Sequence, residues 1–145
     1  MKIVGFLLLS LLLISCNGGK GGGAGGGTKP PTEAELIKSI KTDAKLELPP
    51  GAKLLEYQDG KQVVDPSWAA KFSIPASEVK SLQAKVTALG DTLKSSGGIT
   101  PTLAWWKPGT ILAKAAYSPD GGRLYVKVIL SEEGPGTYLY LEHAL

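Results

Sequence analysis

The chain has 145 residues, 43% of them hydrophobic and 20% charged, with a formal net charge of +3. That suits one modest globular domain. The scattered lysines, without a basic run, an aromatic RNP motif or a Cys/His finger, exclude a nucleic-acid reader. A single cysteine excludes an internal disulfide, and with a single histidine it leaves too few ligands for the usual zinc arrangements.

Lys2 gives the N-terminus a positive charge, and Ile3 to Ile14 is almost continuously apolar. About a dozen residues are too few for a bilayer span, which needs about 20. Length and flanks suit a secretory signal peptide instead, with small Ser15 before a cleavage point. The lone Cys16 follows at once. A catalytic thiolate would need a structured electropositive pocket, and Cys16 sits between a signal peptide and a glycine run.

Leu13-Ile14-Ser15-Cys16 resembles the lipobox of bacterial lipoprotein precursors: aliphatic, tolerated, small, cysteine. The resemblance covers only the first sixteen or seventeen residues, and Ile14 is a less usual choice than alanine or serine. It implies a diacylglyceryl thioether on Cys16, cleavage between Ser15 and Cys16 by signal peptidase II, and a palmitate-bearing membrane anchor. Two acyl chains, at roughly 0.8 kcal/mol per buried CH₂, hold a protein stably on a bilayer. Asn17, not Asp, follows the cysteine. By the rule of that family in enteric bacteria, this favours the outer membrane over the plasma membrane.

Residues 1–15 are thus expected to be the signal peptide and 16–32 a lipidated tether, with 33–145 forming one domain. The tether reads NGGKGGGAGGGTKPPT after Cys16 and has almost no apolar area to bury. As a flexible coil its sixteen residues average roughly 20–25 Å end to end, and about 55 Å fully stretched. Its glycines do not make a phosphate loop, because no Gly-Lys-Ser/Thr follows and no strand precedes.

Within the domain, Thr32 and Glu35 fit a capping box, and Leu36, Ile37 and Ile40 mark one face of a helix to about Asp43. Pro49-Pro50-Gly51 breaks the chain. A strand is expected over Ala52 to Gln58, closed by an Asp59-Gly60 turn, and another over Ser67 to Ile74, where Trp68, Ala70, Phe72 and Ile74 alternate with Lys71 and Ser73. Pro75 ends it. Ser77 caps a helix to about Leu89, with Gly90 as its stop and an apolar stripe through Val79, Leu82, Val86, Leu89 and Leu93. A loop spans Ser95 to Pro101. Strands follow over Thr110 to Tyr117, Arg123 to Leu130 and Thr137 to His143, joined by Pro-Asp-Gly-Gly and Glu-Gly-Pro-Gly turns.

With Lys127 set opposite Tyr140, one face of this meander carries Leu124, Val126, Val128, Leu139 and Leu141. The other carries Tyr125, Lys127, Ile129, Tyr138, Tyr140 and Glu142. The fold class is therefore α+β: a mainly antiparallel sheet with a C-terminal three-stranded meander packed against one principal helix. The stretch from Leu48 to Leu82 also resembles small bacterial envelope lipoproteins and secreted proteins that bring no assigned activity.

Chemistry is sparse. His143 alternates onto the aliphatic face, and no Gly-x-Ser-x-Gly elbow accompanies it. The Asp-Gly pairs read as turns rather than calcium loops. Glu132-Glu133 read as solvated turn residues. Aromatic residues are the most suggestive feature: Trp105, Trp106, Tyr125, Tyr138 and Tyr140 compose a candidate binding surface. The competing reading makes them a second small core closed by Trp68, Trp106 or the first helix, since strands enrich aromatics anyway.

The expectation is a lipid-anchored, non-enzymatic binding module of the cell envelope. It holds to the membrane by its lipid, meets an envelope protein or glycan, and uses no cofactor, no metal and no nucleic acid. The alternatives are a small envelope hydrolase acting on cell-wall glycan or peptide through acidic residues, or an inhibitor or immunity-like protein.

Overall fold

The computed structural model describes residues 30–60, 67–93 and 103–144. The expected signal peptide, Ser15, Cys16, the tether as far as residue 29 and the loop from Ser95 to Pro101 lie outside the described residues.

The first helix, α1 (Glu33–Asp43), starts where the capping box predicts. The Thr32 hydroxyl accepts the Glu35 N–H at 3.3 Å, and the Glu35 carboxylate accepts the Thr32 N–H at 2.8 Å. The strand β1 (Lys53–Gly60) pairs antiparallel with β2 (Ser67–Ile74). After Pro75 a 3₁₀ turn (Ala76–Glu78) leads into α2 (Val79–Leu89). The meander follows: β3 (Thr110–Tyr117), β4 (Tyr125–Glu133) and β5 (Gly136–Ala144). The strands form one antiparallel sheet in the order β1-β2-β5-β4-β3. This is the expected α+β class, with the meander at its C-terminus.

Trp68, Ala70, Phe72 and Ile74 of β2, Leu139 and Leu141 of β5, and Val126, Val128 and Leu130 of β4 share one buried face. Ala113, Ala115 and Tyr117 continue it on β3, where α2 packs, and α2 reaches β4 as well. Leu82 and Val86 from α2 and Leu36 and Ile40 from α1 join the same cluster. Both helices therefore cover one face, and α1 does not close the tyrosine face. Fully burying each such aliphatic side chain contributes roughly 1.5–3 kcal/mol.

Four local expectations are corrected. Asp59 and Gly60 are strand, opposite Trp68 and Ser67, and not a turn. A Cβ at position 60 would stand 2.0 Å from the Ser67 hydroxyl oxygen, so this glycine serves a close strand approach. Ser77 lies within the 3₁₀ turn and caps nothing. Leu93 lies beyond α2, where its N–H and that of Thr92 bond the Ala116 carbonyl at 3.0 and 2.8 Å. Finally, Lys127 pairs with Glu142, and Ile129 takes Tyr140. The slip is two residues, so both faces keep their members. Its cause is the turn: Glu133 pairs with Gly136, leaving only Gly134 and Pro135 in the loop, and Gly134 has φ +57°. A two-residue hairpin with glycine at its first central position suits the strand twist.

One buried bond ties α1 to the sheet. The Tyr117 hydroxyl donates to the Ala44 carbonyl at the helix end, and burial pushes that phenol up to about 12. Tyr117→Phe leaves the carbonyl without its donor, a loss of about 1–2 kcal/mol. Urea unfolding should show this as a lower midpoint with an unchanged slope.

Candidate functional site

The second face of the sheet is built from the residues that alternate with the aliphatic ones: Ala69 and Lys71 on β2, Tyr138, Tyr140 and Glu142 on β5, and Lys127, Ile129 and Ser131 on β4. Residues 103–109 lie against it. The Trp106 N–H bonds the Leu103 carbonyl at 3.1 Å, and the Lys107 N–H bonds that of Trp105 at 2.9 Å, folding the segment into a tight bend. The Gly109 N–H then donates to the Ser131 hydroxyl at 3.2 Å. A Cβ at Gly109 would come within 2.3 Å of the Glu132 carbonyl oxygen, so only glycine permits this seat. Trp106 thereby meets Tyr140 edge-on, with ring centroids 5.1 Å apart and planes at 68°. Trp105 lies tilted against Trp106 at 5.8 Å.

Glu133 organises the polar part. One of its oxygens accepts Lys71 Nζ at 2.8 Å. The other accepts the Ser131 hydroxyl at 3.2 Å and the Tyr140 hydroxyl. The ion pair is largely shielded, with 14% of the Lys71 side chain and 25% of the Glu133 side chain exposed. Lys71 Nζ also lies 4.4 Å from the centre of the Tyr138 ring and 4.8 Å from that of Tyr140, where the ring quadrupole favours a cation. Lys127 Nζ lies 5.8 Å from the Trp106 ring centre.

These contacts set the protonation states. Burial works against both charges, but the mutual bond and the Tyr140 hydroxyl outweigh it, holding Lys71 above the usual lysine range and Glu133 below the usual carboxylate range. Burial pushes the Tyr140 phenol up, reinforced by Glu133 and opposed by Lys71. Chemically, the cluster holds a cation against aromatic rings. Both carboxylate oxygens of Glu133 and the hydroxyl of the fully buried Ser131 are committed to internal bonds.

The five aromatic candidates do not form one exposed patch. Tyr140 is fully buried and touches only protein. Tyr138, Trp105 and Trp106 are half-buried: Tyr138 stands at one end of the sheet beside Lys71, while Trp106, with Trp105 against it, lies over Tyr140 and near Lys127 further along. Tyr125 pairs with Ala144, whereas Tyr138 pairs with Ser131 six positions along β4, roughly 20 Å away. Trp68 is on the helix-covered face, stacked on His143 with centroids 5.0 Å apart. His143 closes the core edge there, as its alternation predicts.

Lys71 and Glu133 were missed in the sequence. Lys71 interrupts an otherwise small and apolar strand, which signals a shielded partner. In sequence Glu133 reads like its exposed neighbour Glu132, but strand parity places it on the same face as Ser131. Among the described residues, no three His, Cys, Asp or Glu side chains stand close enough to hold a metal ion.

Glu133→Gln removes the counter-charge from a shielded lysine and should cost about 1–3 kcal/mol at pH 7. The sign in pH follows from the depressed native value of Glu133: its contribution is present above the ordinary carboxylate pKa and lost as pH falls through the native one. Denaturation at pH 7 and pH 3 should therefore show the gap between the two proteins narrowing in acid. His143 acts in a different window. Burial pushes its imidazole down, opposed by nearby Asp43, so the folded protein favours the neutral ring. That contribution is present above the unfolded imidazole pKa and lost as pH falls through the native one. The melting temperature should drop between pH 7.5 and 5.5, and drop less in His143→Phe.

No family model matches this sequence, and none of the curated proteins or solved structures compared with it gives a match.

Proposed function

We propose that this protein is a lipid-anchored component of a bacterial cell envelope, the outer membrane being the favoured one, and that its α+β domain is a non-enzymatic binding module. The observation that carries this reading is the ordered N-terminal sequence: Lys2, the apolar run Ile3 to Ile14, then Leu13-Ile14-Ser15-Cys16 ahead of the glycine run. Each part meets a physical requirement of export and anchoring.

The domain supports binding over turnover. The one histidine is stacked into the core edge, and Glu133 spends both oxygens on holding Lys71, Ser131 and Tyr140. A general base needs an acceptor within reach of a substrate proton, and the Glu133 oxygens are already engaged. Trp105 and Trp106 offer half-buried rings on a seat fixed by Gly109 and Ser131, and Tyr138 stands opposite Ser131 on β5. Rigid aromatic groups of this kind anchor a protein or glycan partner at little entropic cost.

Cys16→Ala should abolish labelling by radioactive palmitate and leave the precursor uncleaved by signal peptidase II. Undiminished labelling refutes the anchor. Trp105→Ala should weaken crosslinking of the domain to its envelope partner about tenfold, equivalent to about 1.4 kcal/mol. Unaltered crosslinking refutes the aromatic contact and leaves the anchor standing.

A further inference from the structure

At the other end of the sheet from Tyr138, a cleft of about 470 Å³ opens between the end of α1 and the β3–β4 turn. Thr42, Asp43 and Lys45 line one side, Pro119, Asp120 and Leu124 the other, and His143 also contributes to the wall. The volume falls within the range of small-molecule sites.

The charges in this lining are fixed by structure. Asp120 Oδ1 accepts the Ser118 hydroxyl at 2.9 Å and the N–H groups of Gly122, Arg123 and Leu124 at 3.2, 3.1 and 3.0 Å. Those bonds, led by the Leu124 N–H, hold its carboxyl at about 2, so it is an anion at any working pH. Asp43 accepts the Ser39 hydroxyl at 2.6 Å through Oδ2, which orients its carboxylate. His143 is 8% exposed, and its buried Nδ1 has no hydrogen-bond partner.

Lys45 adds an independent sign. Its φ is +55°, the only positive value among the described residues other than glycine. It directly follows the α1 C-cap, where helices favour glycine because a side chain is strained in that conformation. Such strain concentrates where function requires a particular side chain. Here the side chain is an ammonium on the rim of a cleft that otherwise carries two carboxylates.

We infer that this cleft binds a small zwitterion, an α-amino acid with an aliphatic side chain. Asp43 and Asp120 take the ammonium, Lys45 takes the carboxylate, and Leu124 and Pro119 meet the side chain. The site is separate from the Trp105–Tyr138 rim and does not rest on the anchoring reading.

The test is calorimetric titration of the full-length protein, as purified, with leucine, isopentylamine and isovalerate. Leucine should bind saturably with one-to-one stoichiometry, and isopentylamine and isovalerate, which each lack one charge, at least about tenfold more weakly. Asp43→Asn should weaken leucine at least about fivefold. Lys45→Gly is the decisive variant. It relieves the backbone strain, so it should melt at or above the wild-type temperature while losing leucine affinity and keeping that for isopentylamine. No saturation by leucine up to about 10 mM, equal binding of leucine and isovalerate, or full leucine affinity in Lys45→Gly would each overturn the proposal.

Discussion

Strand β5 is the constraint on which the rest of the domain depends. It lies between β2 and β4 at the centre of the sheet, and both of its faces are buried. Leu139 and Leu141 pack under the helices, while Tyr140 and Glu142 are shielded just as fully on the opposite face. A strand buried on both sides has no free register. A one-residue slip would drive Tyr140 and Glu142 into the aliphatic cluster and expel the leucines. The two-residue Gly134–Pro135 loop removes the remaining freedom, and the register it sets places Glu142 opposite Lys127 across the strands, a favourable cross-strand charge pair.

The two faces are held by different physics. The helix-covered face is aliphatic and tolerant, stabilised by area removed from water. The other face is held by directional contacts: Glu133 to Lys71, Ser131 and Tyr140, Gly109 to Ser131, and Trp106 against Tyr140. Such a network specifies one arrangement only when its members are all satisfied. Its geometry also explains why the aromatic residues divide as they do. Tyr140 must be buried to reach Glu133, and its burial leaves Tyr138, Trp105 and Trp106 as the rim.

Much of this was legible in the sequence because several elements carry redundant local signals. The Thr32–Glu35 box marks α1 at its start, and β2 and β3 end where Pro75 and the Pro119 turn require it. Parity alone sorted Val126, Val128, Leu139 and Leu141 from Tyr138 and Tyr140. What escaped depended on contacts distant in the chain. Glu132 and Glu133 are chemically identical neighbours, and only the extension of β4 past Leu130 separates an exposed one from a shielded one. Gly60 and Gly109 look like turn residues, yet both serve close backbone approach to partners that no local pattern names. The cleft was equally hidden. It joins the end of α1, the β3–β4 turn and the end of β5, and its plainest local sign, a lysine at positive φ, is a backbone property.

The ends of the sheet give these sites a direction. The Leu54 N–H donates to the Glu33 carboxylate at 3.0 Å, so the start of α1 lies over the start of β1. Register carries that end of the sheet through Ser73 to Tyr138 and Ser131. Tyr138 and the residue that opens α1 therefore share one end. His143 is five residues further along β5, roughly 17 Å away, and Lys45 lies past the far end of α1, a helix about 16 Å long. On the proposed anchoring, the chain reaches the domain at Thr32. The tether then joins the domain at the Tyr138 end of the sheet, and the cleft opens at the other end, with β5 running between them.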